Sequence, residues 1–346
     1  MKLGIIGLPM SGKRTLFEAL TRTRSEAESK MDNRLAVVRV PDPRIDTLSD
    51  IYNPKKTTFA RIEYFLPGLG VSGDGKSKDS SIWTKARDCD ALIHVVRNFE
   101  ASGYGHPEPI KNFRRIDDEL VLSDLLVVEK RLERLDSDLK KNRKIEAVEH
   151  GLLLECSRIL DQGKPLRGNP HLAGSQALRG YTFLSGKPLL VVVNNGDHDS
   201  AVPDGLEETV GERCVVIQGK VERELTHMPE GEALDFMAEF GIRESAMRLV
   251  IRESYALLGL ASFFTVGEDE VRSWTIRNGS RAVDAAEAVH SDIKKGFIRA
   301  EVVAYDDLIE SGSYAEARKR GLVRLEGKEY SVTDGDVVEF RFNIGK

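Results

Sequence analysis

The chain lacks the features that would place it outside the cell or in a membrane. Its three cysteines, Cys89, Cys156 and Cys214, are odd in number and far apart, with no metal-ligand spacing. That argues against a disulfide framework or a zinc site and fits reduced thiols in a cytoplasmic protein. No apolar run approaches the length needed to span a bilayer, so no membrane contact is expected. The N-terminus has one lysine, a short strand-like run and no small-residue cleavage site, so it does not read as a signal peptide. An excess of positive charge is also missing: 51 Lys and Arg against 56 Asp and Glu give a formal net charge of −5. Contact with nucleic acid would therefore need a local basic patch. Internal repeats and low-complexity segments are absent.

What is present fits a globular protein of two or three domains: 346 residues, 40% hydrophobic and 31% charged, a balance that excludes wholesale disorder. Leu3–Ile6, Leu35–Val40, Ala60–Phe65, Ala91–Val96, Leu189–Val193 and Cys214–Ile217 are strand candidates. Several are apolar throughout, as strands buried on both faces of a mostly parallel sheet must be, and helical patterns lie between many of them. This predicts α/β architecture. From about Asp117 to Leu160 the alternation breaks. Leu120, Leu122, Leu125, Leu126, Val128, Leu132 and Leu135 recur at helical spacing, and a second periodic run, Val148 to Leu160, follows a polar link. A helical hairpin inserted between the strands at Ala91 and Leu189 fits this pattern better than ordinary covering helices. After about Ala261, strand patterns at 275–276, 298–303, 330–332 and 337–342 surround one helical run, Ala282 to Ser291, which predicts a small α+β domain. The expected layout is a sheet domain from residues 1–116 and 184–260, a helical insertion at 117–183 and a C-terminal domain at 261–346.

Residues 7–15, Gly7-Leu8-Pro9-Met10-Ser11-Gly12-Lys13-Arg14-Thr15, follow the first strand candidate and open a helical pattern. They match a phosphate-binding loop, G-x-x-x-x-G-K-S/T, at every position but one. Backbone N–H groups and a helix N-terminus would cradle phosphate, and Lys13 would reach its outer oxygens. The hydroxyl that normally ligates Mg²⁺ is replaced by Arg14. A glycine-rich turn with an accidental lysine is the bland alternative, and the strand–loop–helix context disfavours it.

The loop from Gly7 through Thr21 and the run Val40-Pro41-Asp42-Pro43-Arg44 resemble the YchF-type GTPases, an Obg-related branch of the P-loop proteins. The resemblance is closest in Glu270 to Ile276, in His290 to Glu301 and in Leu325 to Asn343. These runs are similar to that family's terminal TGS domain, a ubiquitin-like β-grasp module. It implies three parts, a nucleotide domain, a helical insertion and a TGS domain, in a ribosome-associated ATPase or GTPase.

The family's functional positions then fall on particular residues. Its D-x-P-G or D-x-A-G run, whose Asp holds the metal, corresponds to Phe65-Leu66-Pro67-Gly68. Phe65, or Leu66 by an ungapped count, stands where the carboxylate belongs. The switch threonine falls near Lys30, beside Ser29. All three sources of metal coordination are thus altered together, which implies that Mg²⁺ is not bound in the usual way. Two outcomes stay open: Arg14 and Lys30 neutralise phosphate without a metal, or Arg14 faces solvent and the loop is vestigial. His106 aligns with a loop histidine implicated in hydrolysis, against a plain solvated histidine. Leu69 follows Gly68 where other GTPases carry Gln. The base-reading N-K-x-D run becomes Asn194-Asn195-Gly196-Asp197, and a later base-side loop keeps Gly219 and Lys220. An Asp at that place accepts from guanine N1–H and its 2-amino group, which tilts the expected ligand to GTP or GDP, with ATP as the alternative. An Asx-rich turn is the structural alternative.

Arg272, Trp274, Arg277, Arg281, Lys294, Lys295 and Arg299 crowd the C-terminal module, where they would favour RNA or the ribosome as partner. A solvated charged face around a core Trp is the alternative, because Glu268, Asp269 and Glu270 are interleaved. Three functions follow: a purine-nucleotide-binding factor with weak or lost hydrolysis acting on ribosome or RNA, a slow active NTPase using His106, or a scaffold without nucleotide.

Overall fold

The computed structural model describes residues 1–23, 32–68, 78–197, 199–240, 242 and 244–343. In chain order it runs β1 (Lys2–Ile6), α1 (Lys13–Thr21), β2 (Arg34–Arg39), α2 (Pro43–Tyr52), β3 (Lys56–Thr58), β4 (Arg61–Leu66), α3 (Lys78–Ala86), β5 (Ala91–Asn98), α4 (Pro109–Lys140), α5 (Ala147–Leu160), β6 (Leu189–Asn195) and β7 (Cys214–Ile217). The later strands are β8 (Leu260–Thr265), β9 (Glu270–Arg277), β10 (Phe297–Ala304), β11 (Arg324–Glu326) and β12 (Asp336–Phe342). The chain divides into two compact units, one of Met1–Val37 with Glu63–Val250 and one of Val38–Ile62 with Ile251–Lys346. No helix among the described residues is long and apolar enough to cross a membrane.

The first sheet has the order β2-β4-β1-β5-β6-β7 among the described residues. β1 pairs in parallel with β4 and β5, β5 with β6, and β6 with β7. Each expected strand of this sheet is present. β6 is buried from end to end and β5 is buried through Arg97, which is why their sequences read as continuous apolar runs. β2 alternates instead, leaving Leu35 and Val37 exposed. The chain leaves β1 between strands reached by connections of opposite direction, so the loop after β1 opens at a topological switch point.

The helical insertion exists, with one boundary moved. Residue 117 lies inside α4, which begins with Pro109 in its first turn and continues unbroken to Lys140. Its early residues Phe113, Ile116 and Leu120 pack into the core of the sheet, whereas Val121, Val128 and Leu135 join Leu153, Cys156 and Leu160 of α5. A continuous helix serving two cores carries no sequence mark at the change. Arg131 of α4 and Glu149 of α5 pair through two bonds, at 3.0 and 2.9 Å, and Tyr181 also donates to Glu149. Deeper in, fully buried Asp124 accepts from Leu184 N (3.0 Å), Ser185 N (2.7 Å) and the Arg87 guanidinium (3.0 Å).

The second unit holds a mixed sheet of order β11-β10-β12-β8-β9-β3 among the described residues. β8 and β9 are antiparallel, β12 is parallel to β8, and β10 runs antiparallel to β12. Helix Ala282–Val289 lays Ala282, Ala285 and Ala286 against Phe263, Ile276 and Val302, where small side chains let helix and sheet approach closely. This is a β-grasp arrangement. The expected domain of 261–346 is incomplete, because α2 and β3 complete it. Ile45 and Leu48 pack with Phe264, Val271 and Val303 on the other face, and β3 pairs in parallel with β9. Asp42 caps α2, brackets the Arg44 guanidinium at 2.9 Å through each oxygen, and Arg44 reaches Asp334 at 2.8 Å while lying over the Phe264 ring. The reading from sequence missed this because it assumed that neighbours in sequence share a core.

Replacing Asp124 with Ala strands two buried amides and a guanidinium at once. We expect Asp124→Ala to lower the stability of the first unit by about 3–5 kcal/mol, read as a shift of its urea transition. A shift below about 1 kcal/mol would show that the carboxylate is dispensable.

Candidate functional site

The site begins at the end of β1. Gly7 has φ 147, Met10 φ 61 and Gly12 φ 96, and Pro9 and Met10 turn the loop. At Gly7 a Cβ would stand 2.5 Å from the Val95 carbonyl oxygen. Only glycine lets the loop pass that close to β5. Lys13, the first residue of α1, curls back and donates to the carbonyls of Gly7 (2.7 Å) and Leu8 (2.6 Å). Burial pushes its ammonium down to about 8. The Ser11 hydroxyl is buried without a partner among the described residues. A glycine cradle, a lysine at its mouth and an orphaned hydroxyl fit a phosphate group.

Asn194 ties this loop to the base-side loop. Its Nδ2 donates to Ser11 O at 3.1 Å and its Oδ1 accepts from Gly219 N at 3.0 Å, with the side chain buried. Glycine is needed at both contacts: a Cβ on Gly12 would lie 2.1 Å from Asn194 Nδ2, and one on Gly219 would lie 2.7 Å from Oδ1. The next residue points the other way, as strand alternation requires. Asn195 is buried, accepts from Asn98 at 3.0 Å and donates to Ala201 O at 2.7 Å. It is therefore unable to pack on a base as the lysine of N-K-x-D does. Beyond it Asp197 accepts from Lys220 at 2.9 Å, so the two expected base-side residues meet each other.

Arg14 takes a different course from a phosphate ligand. Its Nε donates to Glu18 at 2.9 Å, one turn along α1, and Arg34 approaches the same carboxylate at 3.8 Å. Arg14, Thr15 and Glu18 form one wall of a cleft of about 770 Å³ whose other wall carries Arg223 and His227. Phe65 packs against the sheet core with the Lys2 ammonium 5.2 Å from its ring centroid. Gly68 N donates to Asn33 Oδ1 at 3.1 Å. Lys30, Ser29 and Leu69 lie outside the described residues. Mg²⁺ takes oxygen ligands. A guanidinium held by Glu18 and a packed phenyl ring do not fit that ion at positions 14 and 65.

His106 is 93% exposed at its side chain, with Nδ1 2.7 Å from Glu100 Oε1. Its loop is organised by a residue that sequence reasoning missed. Arg97, buried at the end of β5, donates to the carbonyls of Phe99 (3.1 Å), Tyr104 (2.9 Å), Gly105 (3.2 Å) and His106 (3.4 Å). An arginine next to the apolar run of β5 was the available signal. His94, also missed, is buried in β5 and stacked on Phe113, and burial, with the charges of Arg167 and Lys13, pushes it down to about 3.

In the second unit the expected basic cluster divides. Lys294 is held by Asp284 (3.3 Å) and Glu287, Lys295 by Asp292 (3.2 Å), and Arg281 by Asp284 and Glu329. Arg277 and Arg299 are exposed. Arg272 lies 3.7 Å over the ring of Trp274.

A glycine loop closed by its lysine, at the switch point of a parallel sheet and bridged by an asparagine to a second loop, defines a P-loop nucleotide-binding protein. Residues 260–343 match the family model YchF-GTPase C-terminal, described as a protein of unknown function. The chain is 38% identical to the ribosome-binding ATPase YchF of Bacillus subtilis (strain 168), over 99% of each chain. It is 34% identical to the Obg-like ATPase 1 of Oryza sativa subsp. japonica, over 99% of this chain and 92% of that one. The Schizosaccharomyces pombe YchF GTPase superimposes with a TM-score of 0.85 at 28% identity, covering 99% of this chain and 97% of that one. The chain belongs to the YchF family.

The Asn194 bridge makes a coupling prediction. Asn194→Ala should cost about 1–3 kcal/mol by stranding Ser11 O and Gly219 N. Gly219→Ala should cost less in the Asn194→Ala background than alone, because its clash is with that side chain. Additivity in this double-mutant cycle, measured by thermal unfolding, would show that the two loops are not joined through Asn194.

Proposed function

We infer that this chain is a purine-nucleotide-binding YchF protein that acts chiefly by binding, with Mg²⁺-dependent hydrolysis weak or lost, on the ribosome or its RNA. The single observation that carries the reading is the pair of substitutions at the metal positions: Arg14 is engaged by Glu18 and Phe65 is packed against the core. Phosphate recognition has its support in the Gly7–Gly12 cradle and Lys13. Asp197 favours guanine, so GTP or GDP is the expected ligand and ATP the alternative. Ribosome association and a cytoplasmic place come from relatives that are themselves named ribosome-binding ATPases. The β-grasp unit, read as a TGS domain, is the part assigned to the partner. A second reading, slow hydrolysis through His106, draws on Arg97, which holds that loop by four carbonyls.

The test is a titration with GTP, GDP and ATP, each with Mg²⁺ and with chelator, followed by product analysis. Affinity should change by less than roughly twofold when Mg²⁺ is removed, and Arg14→Ser, which restores a hydroxyl ligand, should introduce a Mg²⁺ dependence. Mg²⁺-dependent turnover by the wild-type chain would overturn the binding-only reading. No binding at millimolar nucleotide would leave the scaffold reading.

Lys13 adds a pH signature. A bound phosphate favours the charged ammonium, whose value without it is about 8. Below that pH the lysine is already protonated and affinity should be flat. Above it, binding must add a proton, so affinity should fall by up to roughly tenfold per pH unit. GDP titrations at pH 7, 8 and 9 measure this. Lys13→Arg, charged throughout, should remove the slope, and a wild-type profile flat to pH 9 would show that Lys13 takes no part.

A further inference from the structure

One cleft in the second unit joins residues that the sequence keeps far apart. Its walls are the segment 56–61, with Lys56, Phe59 and Arg61, and the strand β9, with Arg272, Trp274 and Thr275. Its volume, about 340 Å³, is at the small end for a ligand pocket. Two guanidinium groups lie over its two aromatic rings: Arg272 at 3.7 Å from the Trp274 centroid and Arg39 at 5.7 Å from that of Phe59. The Trp274 ring is held in place, because Nε1 donates to Thr265 Oγ1 at 2.9 Å and the ring packs beside Phe263, its cross-strand neighbour, against the core of the unit. Glu270 pairs with Lys56 (3.2 Å) and Arg272 (3.8 Å), whereas Arg61 and Arg39 have no ion-pair partner among the described residues. By contrast Lys294, Lys295 and Arg281 are each neutralised by nearby acids.

We propose that this cleft is a stacking site for an unpaired base of single-stranded RNA. The proposal rests on the reading of the β-grasp unit as the RNA-contacting part and gives it a location. A flat base stacks on an arginine plane or an aromatic face whatever its identity, and Arg61 at the rim meets the adjoining phosphate. The space admits one base with its sugar. A duplex holds its bases stacked inside an A-form helix and has none to insert. An acidic peptide would satisfy the cations and leave the ring and guanidinium planes unused.

The experiment uses the full chain and a labelled single-stranded RNA of about 12 nucleotides, a length within single-strand site sizes, followed by fluorescence anisotropy. Arg272→Ala and Arg61→Glu should each weaken binding by roughly fivefold or more. Lys294→Ala and Lys295→Ala should stay within about twofold of wild type, because those charges are already neutralised. The same sequence as a duplex should bind at least roughly tenfold more weakly, and polyglutamate should not compete. In a Trp83→Phe background RNA should quench the remaining tryptophan, Trp274. Trp274→Phe, checked for folding by circular dichroism, should keep part of the affinity. Wild-type binding by Arg272→Ala and Arg61→Glu, equal binding of duplex, or competition by polyglutamate would overturn the assignment. GDP binding and ribosome co-sedimentation of the same variants separate the two readings. RNA binding that ignores the cleft variants sinks the site alone, whereas loss of nucleotide or ribosome binding in the wild-type chain sinks the broader function.

Discussion

The carboxamide of Asn194 stands between two glycines that leave it no slack. It donates into the phosphate loop at Ser11 and accepts from the base-side loop at Gly219, and a methyl group on Gly12 or Gly219 would collide with it. Both loops emerge from the carboxyl ends of parallel strands, β1 and β7, with β5 and β6 between them. A single buried amide, using one donor and one acceptor, bridges the two loops, and the helices that follow, α1 and Gly219–Leu225, pack on each other. Lys13 then closes the cradle on its own carbonyls, and the burial that results lowers its proton affinity.

Around this bridge the parts of a P-loop site have unequal fates. Those made of backbone persist: the positive φ values at Gly7 and Gly12 and the helix start at Lys13. Positions 14 and 65, expected from the sequence to carry oxygen ligands, hold Arg14 and Phe65. Arg14 turns along α1 to Glu18, which Arg34 also approaches, so its charge is neutralised within the protein. Phe65, partly buried, packs against the sheet core. Neither a guanidinium nor a phenyl ring offers a divalent ion an oxygen.

The second unit is built by the same logic of shared surfaces. Its β-grasp sheet accepts an added strand, β3, beside β9, and a helix, α2, against one face. Arg44, held on both sides by Asp42 and extended to Asp334, ties that early segment to the late one. The run Pro41-Asp42-Pro43-Arg44 is therefore a structural clasp. Because the early segment docks there, Lys56, Phe59 and Arg61 come to face Arg272 and Trp274.

The sequence by itself determined the element types. Continuous apolar runs such as Leu189–Val193 read as strands covered on both faces, Gly7 to Lys13 as a turn into a helix, and Leu120 to Leu135 as an amphipathic helix, because periodicity and glycine placement are local properties of the chain. It also raised the expectation that Arg14 and Phe65 stand where metal ligands would be. Tertiary structure alone decided the partners. It gave Arg14 to Glu18, Asp197 to Lys220, Asn195 to Asn98, and Arg97 to the His106 loop. It ran α4 through two cores, and it moved residues 38–62 into the C-terminal unit. These pairings range from one helical turn, Arg14 to Glu18, to strands far apart in sequence, Asn98 to Asn195, and no local pattern records which of several available partners a charge or an amide will meet.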